Sequence, residues 1–115
     1  MKNIKERAKN GLVSLGMYVT ISDSTPVEMA AYAGYDFIRV DCEHMLYDNL
    51  TLMSIIRTAN LLNIPVQARV PGLDNVSSLL DFGVSAIMVP HVSSKEVAIK
   101  AVNAVKYAPL GQRGM

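Results

Sequence analysis

Two short polar runs, Asp41-Cys42-Glu43-His44 and Gln67-Ala68-Arg69, each close a largely apolar stretch, the first holding Phe37, Ile38 and Val40 and the second Ile64 and Val66. Carboxylate, imidazole and guanidinium together are the groups of proton transfer near neutral pH and of anion binding. His44 has three open roles: general base, metal ligand, or solvent-exposed bystander. On spacing alone the bystander reading leads. Arg69 is more constrained. Strand periodicity puts Gln67 and Arg69 on one face and Val66, Ala68 and Val70 on the other, so one face must accommodate a guanidinium. A buried guanidinium needs an anion, and both Asp41 and a carboxylate ligand qualify. A structural Arg–Asp pair and a functional grip therefore stand level.

The remaining candidates read as architecture. His91 follows Pro90 and faces the same rim, with a structural role leading. Asp36 reads as a turn residue, and Asp48 and Asp74 as helix N-caps. Asp81 falls near a helix C-terminus, where the dipole disfavours a carboxylate, so solvation or a partner must explain it. The seven methionines are scattered and read as core filling.

These residues need a scaffold, and the apolar pattern supplies one. Runs of strand length at residues 13–19, 36–41, 65–70 and 86–90 alternate with stretches of helical period, the signature of βαβ units. The runs are nearly continuous in hydrophobicity, as parallel strands covered on one face are. Thr25, Pro26 and Glu28 form a helix start, and Ser93 with Glu96 repeats the capping-box spacing. Leu52, Ile55, Ile56, Ala59 and Leu62 follow a helical stripe, as do Val76, Leu79, Leu80 and Gly83. Gly34, Asn63 with Pro65, Gly83, and Pro109 with Gly111 end the helices.

The α/β fold class is thus four consecutive βα units in one domain, residues 1–115. Two closures fit, an open doubly wound sheet or half of an eight-unit (βα)8 TIM barrel. The phosphate-binding glycine patterns of open sheets, GxGxxG and GxxxxGK[ST], are absent, which weighs against the first. Polar residues gather at the strand C-termini, where both architectures place their sites. A half-barrel would leave two sheet edges and one apolar face uncovered.

Half of the residues are hydrophobic and the formal charge is only +1, the composition of a soluble globular unit. Eleven Lys and Arg are interspersed with ten Asp and Glu, so no basic patch invites nucleic acid. No apolar stretch approaches the roughly 20 residues that span a bilayer, and the start lacks a signal-peptide core, so no membrane partner and a cytoplasmic setting are expected. The single cysteine, Cys42, has no partner for an internal disulfide and agrees with a reducing compartment.

The segments AAYAGYDFIRVDCEH, PVQARVPGLD, LLDFGVSAIMVPHV and AVKYAPLGQRG, in that order, closely resemble the class II, metal-dependent pyruvate aldolases. Members include the 2,4-dihydroxyhept-2-ene-1,7-dioate and 2-dehydro-3-deoxyglucarate aldolases, with citrate lyase beta subunits as distant relatives. The resemblance selects the TIM barrel over the open sheet. A barrel runs to about 250 residues, so the chain covers its N-terminal half. It implies carbon–carbon cleavage of a 4-hydroxy-2-oxo acid of the 2-keto-3-deoxy sugar acid type to pyruvate and an aldehyde, through a metal-stabilised pyruvate enolate. The ion implied is Mg²⁺ or Mn²⁺, and the assembly is a homo-oligomer, a hexamer in the family.

By the same resemblance His44 of the D-x-E-H motif is the base, and Asp41 of that motif holds a metal-bound water. Arg69 grips pyruvate and stabilises enolate charge, making it both catalytic and substrate-binding. Asp81 of L-L-D-x-G partners the His of an adjoining subunit. The metal-binding carboxylates belong to later strands, so no metal ligand is expected in this chain. Met45, Gln67, Ala68 and His91 depart from the family pattern in positions that bear on the acceptor aldehyde. A non-catalytic half-barrel and a citrate-lyase-like carbon–carbon lyase are the alternatives.

Overall fold

The computed structural model of the chain describes residues 3–114. Helix α1 (Ile4–Lys9) is followed by β1 (Gly16–Val19), α2 (Thr25–Tyr32), β2 (Phe37–Asp41), α3 (Asn49–Leu61), β3 (Val66–Arg69), α4 (Val76–Asp81), β4 (Ala86–Met88) and α5 (Lys95–Val105). The strands form one parallel sheet in the order β1-β2-β3-β4. This is the expected run of four βα units. No described helix is long and apolar enough to cross a membrane.

The pleat sorts the side chains as strand periodicity requires. Val19, Ile38, Val40, Val66, Ala68 and Val70 lie on the face covered by helices, and pack with Val27 and Ala30 of α2, Ile55, Ile56 and Ala59 of α3, and Val76 and Leu79 of α4. Each fully buried aliphatic side chain contributes about 1.5–3 kcal/mol, so this layer dominates the stability. The opposite face bears Tyr18, Phe37, Arg39, Asp41, Gln67, Arg69 and Met88, in register across the strands, and no helix covers it. In a closed barrel that face would be the interior.

The strands are shorter than the apolar runs. β1 begins at Gly16, where its register with Phe37 of β2 starts; Val13 and Leu15 precede it with exposed side chains, although the Leu15 carbonyl still accepts the Asp36 N–H at 2.8 Å. β4 ends at Met88, opposite Arg69.

Three helix starts move by one residue. Ser24 rather than Thr25 precedes α2, and Asp23 instead accepts the Thr25 N–H at 2.6 Å. Ser94 rather than Ser93 caps α5, accepting from Val97 N–H at 3.3 Å. Asn75, not Asp74, precedes α4, and its side chain makes no capping bond. Asp48 does cap α3, accepting the Thr51 N–H at 2.9 Å. Gly34, Asn63 and Gly83 terminate helices with left-handed backbone, as their residue types require.

One architectural reading is overturned and one is extended. Asp36 does sit at the bend before β2, but it does more than shape a turn. It is buried, accepts the Leu15 N–H at 2.8 Å and lies 3.5 Å from the Arg7 guanidinium. Arg7 also donates to the Val13 carbonyl at 2.7 Å, so helix α1, which has no apolar periodicity to announce it, is tied to the base of the sheet by this arginine. The described methionines do not fill the core: only Met17 packs against it, and Met29 and Met53 are exposed.

Candidate active site

The C-terminal ends of β2 and β3 are in register at Asp41 and Arg69, so both side chains project from the uncovered face side by side. Arg69 Nε donates to Asp41 Oδ1 at 2.9 Å, and Nη2 donates to Oδ2, giving the two-pronged fork that only arginine provides. The chain turns sharply after β2, and the backbone N–H groups of Glu43 and His44 both point back to Asp41 Oδ1, at 3.1 and 3.2 Å. Asp41 therefore anchors the loop that carries His44. The far end of that loop is fixed by Tyr47, whose hydroxyl donates to the Val19 carbonyl at 2.5 Å.

Glu43 sits at the centre of the remaining contacts. Its Oε2 is 3.4 Å from Arg69 Nε and 3.5 Å from His44 Nδ1, and its Oε1 is 3.3 Å from His91 Nε2. His44 Nδ1 also lies 3.6 Å from Asp41 Oδ2, while the imidazole as a whole is 64% exposed. A histidine backed by two carboxylates and open to solvent on its other side has the placement of a general base. Two groups therefore meet as expected, Asp41 with Arg69 and His44 beside them. Glu43 receives no role from the sequence, although it lies two residues past Asp41 and inside the same motif, and His91, expected at the same rim in a structural role, proves to face Glu43.

The electrostatics follow from these contacts. The Arg69 guanidinium, helped by the His44 and Glu43 N–H groups and opposed by burial, holds the Asp41 carboxyl well below the usual carboxylate range. Asp41 in turn raises Arg69. Burial first, and the Asp41 charge second, push the Cys42 thiol up, which removes it as a nucleophile. Because the Asp41 carboxyl is more acidic folded than unfolded, the unfolded state binds the proton more readily. Its stabilising contribution is then complete above the ordinary aspartate value of about 4 and is lost as pH falls below it. Thermal unfolding of wild type between pH 5 and 3 should show a steeper loss of Tm than Asp41→Asn. Equal slopes would mean that the pair contributes nothing to acid sensitivity.

Beneath this cluster lies a second polar layer. Arg39 Nε donates to Gln67 Oε1 at 2.5 Å and Nη1 to the Tyr18 hydroxyl at 2.7 Å, with the guanidinium 4.9 Å from the Tyr18 ring. Arg39 is two residues before Asp41, so period two alone places it on the same face.

Asp41, Glu43 and His44 are the one group of such side chains, among the described residues, whose donor atoms lie close enough to hold a metal ion, all within 4.8 Å of one another. The donor types suit a divalent cation. The set is nevertheless incomplete, since Asp41 gives both oxygens to Arg69 and a guanidinium also stands beside Glu43. Arg69 therefore competes with any ion for these oxygens.

Asp81 ends α4 and is joined to Arg113, 2.5 Å away, whose guanidinium stacks 4.5 Å from the Tyr107 ring. That cation accounts for an acid at the unfavourable end of a helix. Within the chain Asp81 does not join the Asp41 cluster.

A model of the HpcH/HpaI aldolase/citrate lyase family matches residues 14–115. The chain belongs to this family. Among its relatives, the 2-keto-3-deoxy-L-rhamnonate aldolase of Escherichia coli is 31% identical over 96% of this chain and 42% of its own length. The pyruvate aldolase of Rhizobium etli is 30% identical over 100% of this chain and 46% of its own. The solved structure of the citrate synthase SbnG superposes with a TM-score of 0.90 at 33% identity, over 97% of this chain and 46% of that one. The chain thus spans about half the length of the relatives it matches, and its four parallel strands are part of a TIM-barrel type fold.

Proposed function

We propose that this chain carries the base and the guanidinium of an aldolase site that interconverts a 4-hydroxy-2-oxo acid with pyruvate and an aldehyde. The observation that carries the reading is the single cluster in which Arg69, fixed by Asp41, lies beside a solvent-open His44. His44 takes a proton from the pyruvate methyl group. Arg69 keeps Nη1 clear of partners among the described residues, so it can donate to oxygen as negative charge develops there. Asp41 holds the guanidinium in plane and fixes the loop behind the base. The resulting nucleophilic carbon adds to the aldehyde, and cleavage reverses these steps. Mg²⁺ or Mn²⁺, bound mainly by residues outside this chain, would supply Lewis-acid stabilisation. No lysine Schiff base is needed.

The names of the relatives support pyruvate chemistry, and the resemblance supports a cytoplasmic homo-oligomer in which Asp81 meets the histidine of a neighbouring subunit. The test is metal-dependent exchange of pyruvate methyl protons with D₂O by the assembled barrel. Absence of exchange with either ion would overturn the reading. A citrate-synthase-like condensation, favoured by the superposition on SbnG, shares the enolising step and differs in the acceptor.

The 115 residues alone should be silent and should self-associate. Silence follows from the incomplete donor set around Asp41. Association follows from the open outer edges of β1 and β4 and from exposed Val13, Leu15, Tyr18 and Val92. Light scattering after size exclusion, with the exchange assay in Mn²⁺, examines both. A compact monomer that exchanges pyruvate protons at an enzyme-like rate would refute the expectation, and a silent monomer would point to the non-catalytic half-barrel.

A further inference from the structure

His91 is one of two described non-glycine residues with a left-handed backbone, at φ 54°, and the other, Asn63, merely terminates a helix. Residues with a Cβ rarely adopt this conformation, and those that do so beside a site warrant a functional explanation. Here the conformation sets the imidazole over the mouth of the sheet, just past β4. Its Nε2 is 3.3 Å from Glu43 Oε1, and the other oxygen of the same carboxylate is the one facing His44 and Arg69. One partly buried carboxylate thus ties His91 to the base and to the guanidinium. The rest of the ring is open: the side chain is 88% exposed, and Nδ1 has no partner among the described residues.

That arrangement defines a recognition element. A carboxylate at Nε2 favours the proton on that nitrogen, and in the neutral ring Nδ1 is then a hydrogen-bond acceptor. On the aldolase reading, on which this inference rests, the new carbon–carbon bond forms at the pyruvate carbon beside His44. The aldehyde must approach from the solvent side, where His91 stands on the next strand but one. We propose that His91 is a specificity-determining residue that accepts a hydrogen bond from the hydroxyl next to the carbonyl of a hydroxylated aldehyde. The 2-hydroxyaldehydes released from acids of the 2-keto-3-deoxy sugar type carry such a hydroxyl, and plain alkyl aldehydes do not. Gln67 and Arg39 lie deeper on the sheet and are already bonded to each other, which leaves His91 to meet the distal part of the acceptor.

The experiment compares kcat/KM of the assembled enzyme for 2-hydroxypropanal and propanal. Wild type should favour the hydroxylated aldehyde by about tenfold, the worth of one hydrogen bond. His91→Gly, which suits the left-handed backbone while removing the ring, should bring the ratio to within about threefold of unity. His91→Asn, also tolerant of that backbone, offers a side-chain amide oxygen as acceptor and should recover part of the preference. Because both aldehydes share the pyruvate half of the reaction, a general disturbance of the site cancels in the ratio. An equal ratio in wild type and His91→Gly overturns the assignment, as does a wild type indifferent to the hydroxyl. Failure of wild type to exchange pyruvate methyl protons is a separate result, and it removes the aldolase reading together with this inference.

Discussion

In the assembled enzyme, Arg69→Lys should lower kcat by on the order of 100-fold or more, the usual cost of losing a preorganised charge-stabilising donor. The structure gives the reason. Nε and Nη2 are both engaged by Asp41, in one plane, and Nη1 is left pointing away from that pair. A lysine ammonium is a single point charge, so it can hold Asp41 or reach the substrate but not both. Asp41 would then lose its main partner, its carboxyl would become less acidic, and the Glu43 and His44 N–H groups would be the only donors left on it. Steady-state kinetics measures the first effect. A lysine variant within about twofold of wild type in kcat would assign Arg69 a purely structural role.

His44→Ala should reduce exchange of pyruvate methyl protons by about 10²–10⁴-fold, the range expected when a positioned base is removed. No other described group is placed to replace it. Asp41 is held ionised by Arg69 but has both oxygens engaged, and His91 stands on the far side of Glu43. The measurement is deuterium incorporation into pyruvate in the presence of Mg²⁺ or Mn²⁺, with no aldehyde present. Undiminished exchange in the alanine variant would move the base role to another residue. Paired with Arg69→Lys, the assay separates the two functions, since the base acts on the proton and the guanidinium on the charge it leaves behind.

Much of this was readable from residue order. The βα alternation and the face on which Arg69 lies follow from the apolar pattern and period two, and the cost of an unanswered guanidinium narrows its partner to Asp41 or a ligand carboxylate, of which the structure shows Asp41. Less legible were features set by contacts between distant segments. The burial of Asp36 depends on Arg7, which lies on a helix too short and too charged to show periodicity. The cation at Asp81 comes from Arg113, 32 residues further along the chain. Glu43 reads as one acid beside a histidine, and its contact with His91 depends on the segment after β4, where the backbone turns left-handed at His91. Helix caps were displaced by one residue because neighbouring Ser, Thr, Asp and Asn compete for the same role.

The sheet order has a consequence for motion. Every strand pairs with the one adjacent in sequence, so β2 and β3 are flanked on both sides while β1 and β4 are each held along one side only. Local opening is cheapest where backbone hydrogen bonds are fewest, so in these 115 residues by themselves fraying should begin at β1 and β4 and reach the central pair last. Asp41 and Arg69 join those two central strands and share the slow amide exchange of the interior. His91 follows the outermost strand and moves with it. In these 115 residues taken by themselves, the Asp41–Arg69 pair is thereby set on the part of the sheet that opens last, and His91 on the part that opens first.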